Sequence, residues 1–170
     1  MKTLLLLRHA KSSWQYPDLA DHDRPLNKRG KQAAPRVGQL LKDENLVPDL
    51  ILSSTAARAQ TTARKVAKAC GYSGEIRVTR ELYEADPEAY LTLLQAVADE
   101  HERVLVVGHN PDLETVLEHL TGESETLPTA ALAVVELPVT HWQELNEETE
   151  GKLSQVWRPK ELAPQTLCPR

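Results

Sequence analysis

The chain has 170 residues, with 20 lysines and arginines against 25 aspartates and glutamates, which gives a formal net charge of −5. This length is typical of one compact domain. The acidic net charge argues against nucleic acid as a main partner, because binding a phosphate backbone requires a broad basic face on the protein. Two cysteines exclude a disulfide scaffold, and they match no zinc spacing.

The longest strongly apolar stretch is Leu4–Leu7, which is far shorter than the roughly 20 residues that a membrane span requires. Arg8 follows it at once, so the start of the chain does not resemble a secretory signal. We therefore expect a cytoplasmic protein with no membrane or nucleic-acid partner.

The charge is distributed unevenly along the chain. Residues 1–85 hold 15 lysines and arginines against 9 acidic residues, whereas residues 86–170 hold 5 against 16. Cations that could bind an anionic group thus lie mostly in the first half. A small phosphorylated substrate remains compatible with this balance, since it needs only a few converging cations.

Short apolar strands alternate with amphipathic helices along the chain. In chain order the pattern predicts a strand at Thr3–Leu7, a helix from a cap at Asn27 to Glu44, a strand at Asp49–Ser53, a helix at Thr55–Ala69, a strand at Glu75–Val78, a helix at Pro87–Glu100, a strand at Val104–Gly108, a helix at Asp112–Leu120, and strands at Ala130–Leu137 and Lys152–Trp157. This alternation predicts an α/β fold, a three-layer α/β/α sandwich with a mostly parallel central sheet. We expect one domain over residues 1–160 and an irregular tail over 161–170.

Two segments depart from this regular pattern. The polar stretch from Arg8 to Leu26 is too long for an ordinary connection, so it is either functional or disordered. Pro35 lies inside the first predicted helix and should kink it or remove one hydrogen bond.

Polar side chains follow three of the predicted strands, where a parallel α/β sheet binds ligands. The three groups are Arg8 and His9, then Ser53, Ser54 and Arg58, then Gly108, His109 and Asn110. Arginine pairs with phosphate oxygens and stays charged, a neutral imidazole can attack phosphorus, and phosphoryl transfer needs mainly positioning and neutralised oxygens. The pattern therefore favours phosphoryl chemistry.

Three motifs carry a resemblance to a known family. They are Arg8–Ser12 after an apolar strand, Ser53-Ser54 with Arg58, and Gly108–Pro111 after another strand. In this order they resemble the histidine phosphatase superfamily, which has a phosphoglycerate mutase-like fold. Together with Arg24–Gly30, they are similar in particular to the small bacterial phosphohistidine phosphatase type, over about residues 1 to 160.

The resemblance implies a role for each matching position. His9 would accept the phosphoryl group as a covalent phosphohistidine, Arg8 and Arg58 would clamp its oxygens, and His109 would complete the pocket. Ser12, Gln15 and Asn110 would contact the substrate, with Gln15 where an asparagine is usual. No cofactor and no metal are implied.

The proton donor is a more open assignment. Glu84, in the sequence Leu82-Tyr83-Glu84, resembles the donor of other branches, with Glu81 and Asp86 as competitors or no donor at all. A phosphohistidine substrate would need less help from an acid than an alcohol ester would.

Two departures from the family pattern bear on function. Ala10 replaces the glycine that usually follows the histidine, which leaves the nucleophile intact. Only about eight residues separate the third strand from the helix at Pro87, where mutases and acid phosphatases insert a lid. The open site that follows would admit a phosphorylated protein surface.

The leading hypothesis is a metal-independent phosphatase that dephosphorylates phosphohistidine on a protein, with a role in signal transduction. The alternatives are a phosphatase of a small phosphate ester or phosphosugar, a less expected mutase, and a non-catalytic phospho-binding module. Neither the physiological substrate nor the oligomeric state follows from the sequence.

Several of these residues also have plain structural interpretations. Ser53 and Ser54 could simply cap the following helix, Arg24 and Arg29 are expected to brace the long loop against carboxylates, and Trp14 is either core cover or the wall of a groove. Cys70 is expected to be inert packing.

Overall fold

A computed structural model describes residues 1–159 of the chain. The strands are β1 (Lys2–Arg8), β2 (Leu50–Ser54), β3 (Ile76–Thr79), β4 (Arg103–Gly108), β5 (Leu132–Leu137) and β6 (Lys152–Trp157), and the α-helices are α1 (Lys28–Asp43), α2 (Ala57–Cys70), α3 (Pro87–Gln95) and α4 (Asp112–Thr121). Short 3₁₀ turns lie at Asp21–Asp23, Arg80–Leu82 and Trp142–Glu144.

The strands form one six-stranded sheet in the order β3-β2-β4-β1-β5-β6. β3, β2, β4 and β1 pair in parallel, whereas β5 runs antiparallel to β1 and β6 antiparallel to β5. The mostly parallel sheet is confirmed. β4 inserts between β1 and β2, so the carboxyl ends of these three strands lie side by side at the centre of one edge.

The two faces of the sheet bury separate cores, because successive side chains of a strand point to opposite faces. Leu5 and Leu7 of β1 pack with α1 and α2 on one face, and Leu4 and Leu6 pack with α3 and α4 on the other. All four leucines are fully buried, and each such burial contributes about 1.5–3 kcal/mol. The predicted α/β/α layering is thereby confirmed.

Local signals set the helix ends. The Asn27 side chain accepts a hydrogen bond from the Gly30 backbone N–H at 2.9 Å and caps α1 as predicted. α1 runs through Pro35 to Asp43. α2 and α4 each end at a glycine in the left-handed region, Gly71 and Gly122, where a side chain would be strained.

One predicted boundary is wrong. The sequence pattern predicts that the third helix reaches Glu100, but α3 ends at Gln95. The backbone N–H groups of Ala96 and Val97 bond to carbonyls three residues back, as in a tightened final turn. Beyond them, the Asp99 carboxylate accepts from the Trp142 backbone N–H, which holds this segment outside the helix. Tertiary contacts therefore override a helical pattern here.

The other elements agree with the predicted segments to within about two residues. β5 begins at Leu132 rather than Ala130, because Ala130 adopts a left-handed φ of 62° and its N–H bonds to carbonyls at the end of β1. No helix within residues 1–159 is long and apolar enough to cross a membrane. The predicted tail at 161–170, with Cys168, lies outside the described residues, and Cys70 is a buried free thiol.

Candidate active site

The three polar groups that follow β1, β2 and β4 meet at the sheet edge. The His9 backbone N–H donates to the Gly108 carbonyl at 3.0 Å, which ties the end of β1 to the end of β4. Residues from each of the three groups line a cavity of about 280 Å³, which we call the phosphate cavity. It is lined by Arg8, His9, Lys11, Ser12, Trp14, Arg24, Arg58, His109, Asn110 and Thr129.

The backbone next to His9 sets the orientation of its imidazole. Its Nδ1 lies 2.7 Å from the Ala10 carbonyl oxygen, and a carbonyl can only accept, so we assign the proton to Nδ1. The lone pair then lies on Nε2. Burial, and after it the charges of His109, Arg58 and Arg8, lower the pKa of His9 to about 3. The imidazole is therefore neutral near pH 7, which is the state a nucleophile requires.

Thr62 of α2 supports the backbone that holds His9. Its hydroxyl accepts from the Ala10 N–H at 2.9 Å and donates to the Arg58 carbonyl at 2.7 Å. Thr62 is fully buried. One hydroxyl thus couples the residue after His9 to the helix that carries Arg58.

His109 follows β4 and faces His9, with the two ring centroids 5.1 Å apart. Its Nε2 lies 2.8 Å from the Ser54 Oγ, and this hydroxyl also accepts from the Ala56 N–H at 3.2 Å. We assign the hydroxyl proton toward Nε2, which leaves the His109 Nδ1–H as a buried donor without a protein partner among the described residues. Burial and the charge of Arg58 lower the pKa of His109 to about 4.

Arg8 and Arg58 are each held by their terminal nitrogens. An Arg8 terminal nitrogen donates to the Leu127 carbonyl at 3.1 Å, and Arg58 donates to both the backbone oxygen and the carboxylate of Asp21, at 2.6 and 2.9 Å. The Nε of each arginine is buried and has no partner within the described residues. These two N–H groups can bind the oxygens of a phosphoryl group.

Asp21, like Thr62, is a site residue that no motif in the sequence singles out. Besides Arg58, its carboxylate binds Arg24 at 3.1 Å and accepts from the Tyr83 hydroxyl at 2.8 Å. Partial burial acts to raise the pKa of Asp21, but the hydrogen bonds from Tyr83 and Arg58 and the charge of Arg58 outweigh it and hold the pKa well below the usual range. Asp21 is therefore an ionised anchor for the arginines.

The long loop after β1 is ordered and forms one side of the site. As expected, Arg24 braces it: one nitrogen donates to the Ser12 Oγ at 2.7 Å, and others bind Asp21. Arg29 is exposed on α1, so this bracing falls to Arg24. The Arg24 guanidinium also stacks over the Trp14 ring at 3.7 Å. Trp14 is 78 % exposed and lines the phosphate cavity, so it is a groove wall rather than core cover.

The predicted substrate contacts differ in how the structure places them. Ser12 is buried and lines the phosphate cavity. Asn110 also lines it, but its side-chain NH₂ donates to the Leu127 carbonyl and the Glu114 carboxylate, at 2.7 and 2.9 Å. Gln15 is exposed and lies outside the lining of this cavity. The substrate-contact role of all three residues stays a prediction.

The three acid candidates are separated by position. Glu84 lines a second cavity that adjoins the phosphate cavity, with a left-handed φ of 58°. Asp86 instead caps α3 by accepting from the Ala89 N–H at 2.9 Å, and Glu81 is exposed in a 3₁₀ turn. The link from β3 to α3 is short, since it runs only over residues 80–86. Of the three, Glu84 alone lines either of these two cavities, and its role as proton donor stays a prediction.

Within residues 1–159 no group of three or more His, Cys, Asp or Glu side chains is placed to hold a metal ion. The site offers a neutral imidazole, two guanidinium Nε–H groups and a second imidazole donor. This set can accept a phosphoryl group and neutralise its oxygens.

Residues 4–100 match the family model of the histidine phosphatase superfamily (branch 1). The chain belongs to this superfamily. Over 156 residues it is 35% identical to the uncharacterized protein ML1117 of Mycobacterium leprae, covering 84% of this chain and 94% of that protein. It is also 43% identical over 63 residues to a 2,3-bisphosphoglycerate-dependent phosphoglycerate mutase of Streptomyces avermitilis, of which the match covers 25%.

Two solved structures share the fold over nearly the whole chain. A protein of Agrobacterium tumefaciens proposed to be the phosphohistidine phosphatase SixA superposes with a TM-score of 0.76 at 35% identity, covering 96% of this chain and 99% of that one. The protein histidine phosphatase SixA complexed with tungstate has a TM-score of 0.81 at 24% identity, covering 95% and 99%. The present histidine phosphatase is accordingly a phosphatase enzyme with a phosphoglycerate mutase-like fold.

Proposed function

We propose that this histidine phosphatase dephosphorylates phosphohistidine on a protein through a covalent intermediate on His9, without a metal ion. The observation that carries the proposal is the 2.7 Å contact between His9 Nδ1 and the Ala10 carbonyl, because it leaves Nε2 as the attacking lone pair. The likeness to the proposed SixA of Agrobacterium tumefaciens supports the substrate class.

The reaction comprises two transfers. His9 Nε2 attacks phosphorus, a P–Nε2 bond forms, and the P–N bond to the substrate imidazole breaks. Phosphohistidine that carries a proton on its other ring nitrogen expels neutral imidazole, so the step needs little help from an acid. Water then attacks the phosphoenzyme and the P–Nε2 bond breaks. This step regenerates the free His9 imidazole and releases inorganic phosphate.

The surrounding residues stabilise the transferring group in both steps. The Nε–H groups of Arg8 and Arg58 and the Nδ1–H of His109 face charge that builds on the phosphoryl oxygens. Glu84 supplies a proton where the leaving group is an alcohol. The short β3–α3 link, which leaves the site open, favours a phosphorylated protein over a small enclosed metabolite.

The test compares wild type with His9→Ala on a phosphohistidine protein, on para-nitrophenyl phosphate and on a panel of phosphorylated metabolites. Wild type should turn over the phosphohistidine protein with the highest kcat/KM and form an acid-labile, base-stable phosphoenzyme, and His9→Ala should do neither. Full activity in His9→Ala, or loss of wild-type activity with EDTA, would refute the mechanism. A higher kcat/KM on a small ester or phosphosugar would favour that alternative substrate.

A further inference from the structure

A second cavity of about 410 Å³ adjoins the phosphate cavity, and we call it the acidic cavity. Arg58 and His109 line both, so the two meet at these side chains. Both residues are more than nine-tenths buried, and Arg58 Nε and His109 Nδ1 have no protein partner among the described residues. A phosphoryl group bound at these atoms would sit at the junction, with its leaving group able to extend into the acidic cavity.

The acidic cavity carries three carboxylates: Asp21, Glu84 and Asp112. Arg58 is the single lysine or arginine in its lining, and both of its terminal nitrogens are already bound to Asp21. Burial, together with the nearby charge of Glu84, raises the pKa of Asp112, so these carboxylates lie close enough to interact.

The phosphate cavity has the opposite charge. Four cationic side chains line it and no carboxylate does: Arg8, Lys11, Arg24 and Arg58. The charge of the lining therefore changes from positive to negative on passing Arg58 and His109 from the phosphate cavity to the acidic cavity. A substrate that fits both cavities has an anionic phosphoryl group and, beside it, a neutral or cationic group.

We propose that the acidic cavity selects phosphorylated protein segments with a lysine or arginine beside the phosphorylated residue and rejects segments with a second anionic group there. The inference rests on the proposed function and adds a specificity rule to it. Glu84 and Asp112 are the specificity-determining residues, because Asp21 is already paired with arginines.

Coulomb's law sets the scale of the preference. A unit charge about 12 Å from each of two carboxylates in a water-like environment changes an equilibrium about threefold in total, so exchanging lysine for glutamate in the substrate should change the affinity about tenfold. The preference should shrink as ionic strength rises, since salt screens exposed charges.

The test uses two phosphohistidine peptides that differ only in a lysine or a glutamate next to the phosphohistidine. Their kcat/KM values are measured with wild type, and their binding to His9→Ala is measured by fluorescence anisotropy, where no turnover occurs. We expect the lysine peptide to be favoured about tenfold in both measurements.

Asp112→Asn is the informative variant, because asparagine can still accept the hydrogen bond from the Ala85 N–H that Asp112 accepts at 2.8 Å. It should reduce the peptide preference at least about threefold. Glu118→Gln removes the same charge from an exposed position of the same helix that lines neither cavity, so it should leave the preference unchanged. If Asp112→Asn does not fold, the binding preference between the two peptides is measured instead with Glu84→Gln in the His9→Ala background, which should also reduce it.

The outcomes separate the two proposals. If wild type turns over neither peptide, the proposed function fails, while the binding ratio still tests the acidic cavity. Equal binding of both peptides, a preference for glutamate, or an equal effect of Glu118→Gln and Asp112→Asn would overturn the inference.

Discussion

Ser54→Ala tests whether the hydroxyl beside His109 matters for catalysis. The Ser54 Oγ is 2.8 Å from His109 Nε2, and both residues are buried. Removing the hydroxyl leaves Nε2 without a partner, which costs about 1–3 kcal/mol for a buried polar group. Part of this cost should appear as poorer positioning of the imidazole. Since about 1.4 kcal/mol equals a factor of ten in rate, we expect kcat to fall about tenfold.

The neighbouring Ser53→Ala is a matched control. Ser53 is equally buried on β2, and its hydroxyl donates to the backbone carbonyl of Ser54 at 3.0 Å rather than to either histidine of the site. Losing one such bond should lower the free energy of unfolding by about 1 kcal/mol and leave kcat unchanged.

The assay pairs steady-state turnover of para-nitrophenyl phosphate at pH 7 with urea denaturation of the same preparations. Ser54→Ala should be less stable than wild type by about 2 kcal/mol, because it also loses the bond from the Ala56 N–H. An equal loss of kcat in the two variants, or full kcat in Ser54→Ala, would refute the role assigned to this hydroxyl.

Three further predictions concern other polar groups of the site. Thr62→Val keeps the side-chain shape but removes the acceptor of the Ala10 N–H, so urea denaturation should show a loss of about 1–3 kcal/mol. Burial lowers the pKa values of His9 and His109 to about 3 and 4, so the unfolded chain binds more protons than the folded protein below about pH 6.5. The free energy of unfolding should therefore fall as the pH drops from 6.5 toward 4, less steeply in His109→Asn, and an equal slope in that variant would contradict the assignment. Glu84→Gln should lower kcat on an alkyl phosphate ester more than on phosphohistidine, and an equal effect on both would argue against a proton-donor role.

Much of the fold follows from local patterns. The runs of apolar residues at β1, β2 and β4 predict buried parallel strands, and the polar residues after them predict a shared edge. The pairing of β1 with β4 brings together the residues at their carboxyl ends, which are Arg8, His9 and His109. Arg58 meets them because it lies in the first turn of the helix that follows β2.

What the sequence could not show depends on the path of loops. Asp21 lies 37 residues before Arg58, and nothing in the spacing links them. Ser54 does not cap α2, whose N-cap is Ala56 with no side-chain hydrogen bond. Its hydroxyl instead accepts from the Ala56 N–H and reaches His109, directly after β4. The early end of α3 has the same origin, since Asp99 is held by Trp142 across 43 positions.

The insertion of β4 between β1 and β2 bears on how the enzyme matures. The first two strands are made before β4, yet neither pairs with the other, and both hydrogen-bond to β4. A growing chain therefore lacks a joined sheet until about residue 108 has emerged, and long-range pairing of this kind is slow. The appearance of phosphatase turnover during refolding therefore reports when the centre of the sheet has formed. Residues 9, 58 and 109 come together only when β1 and β2 have both paired with β4.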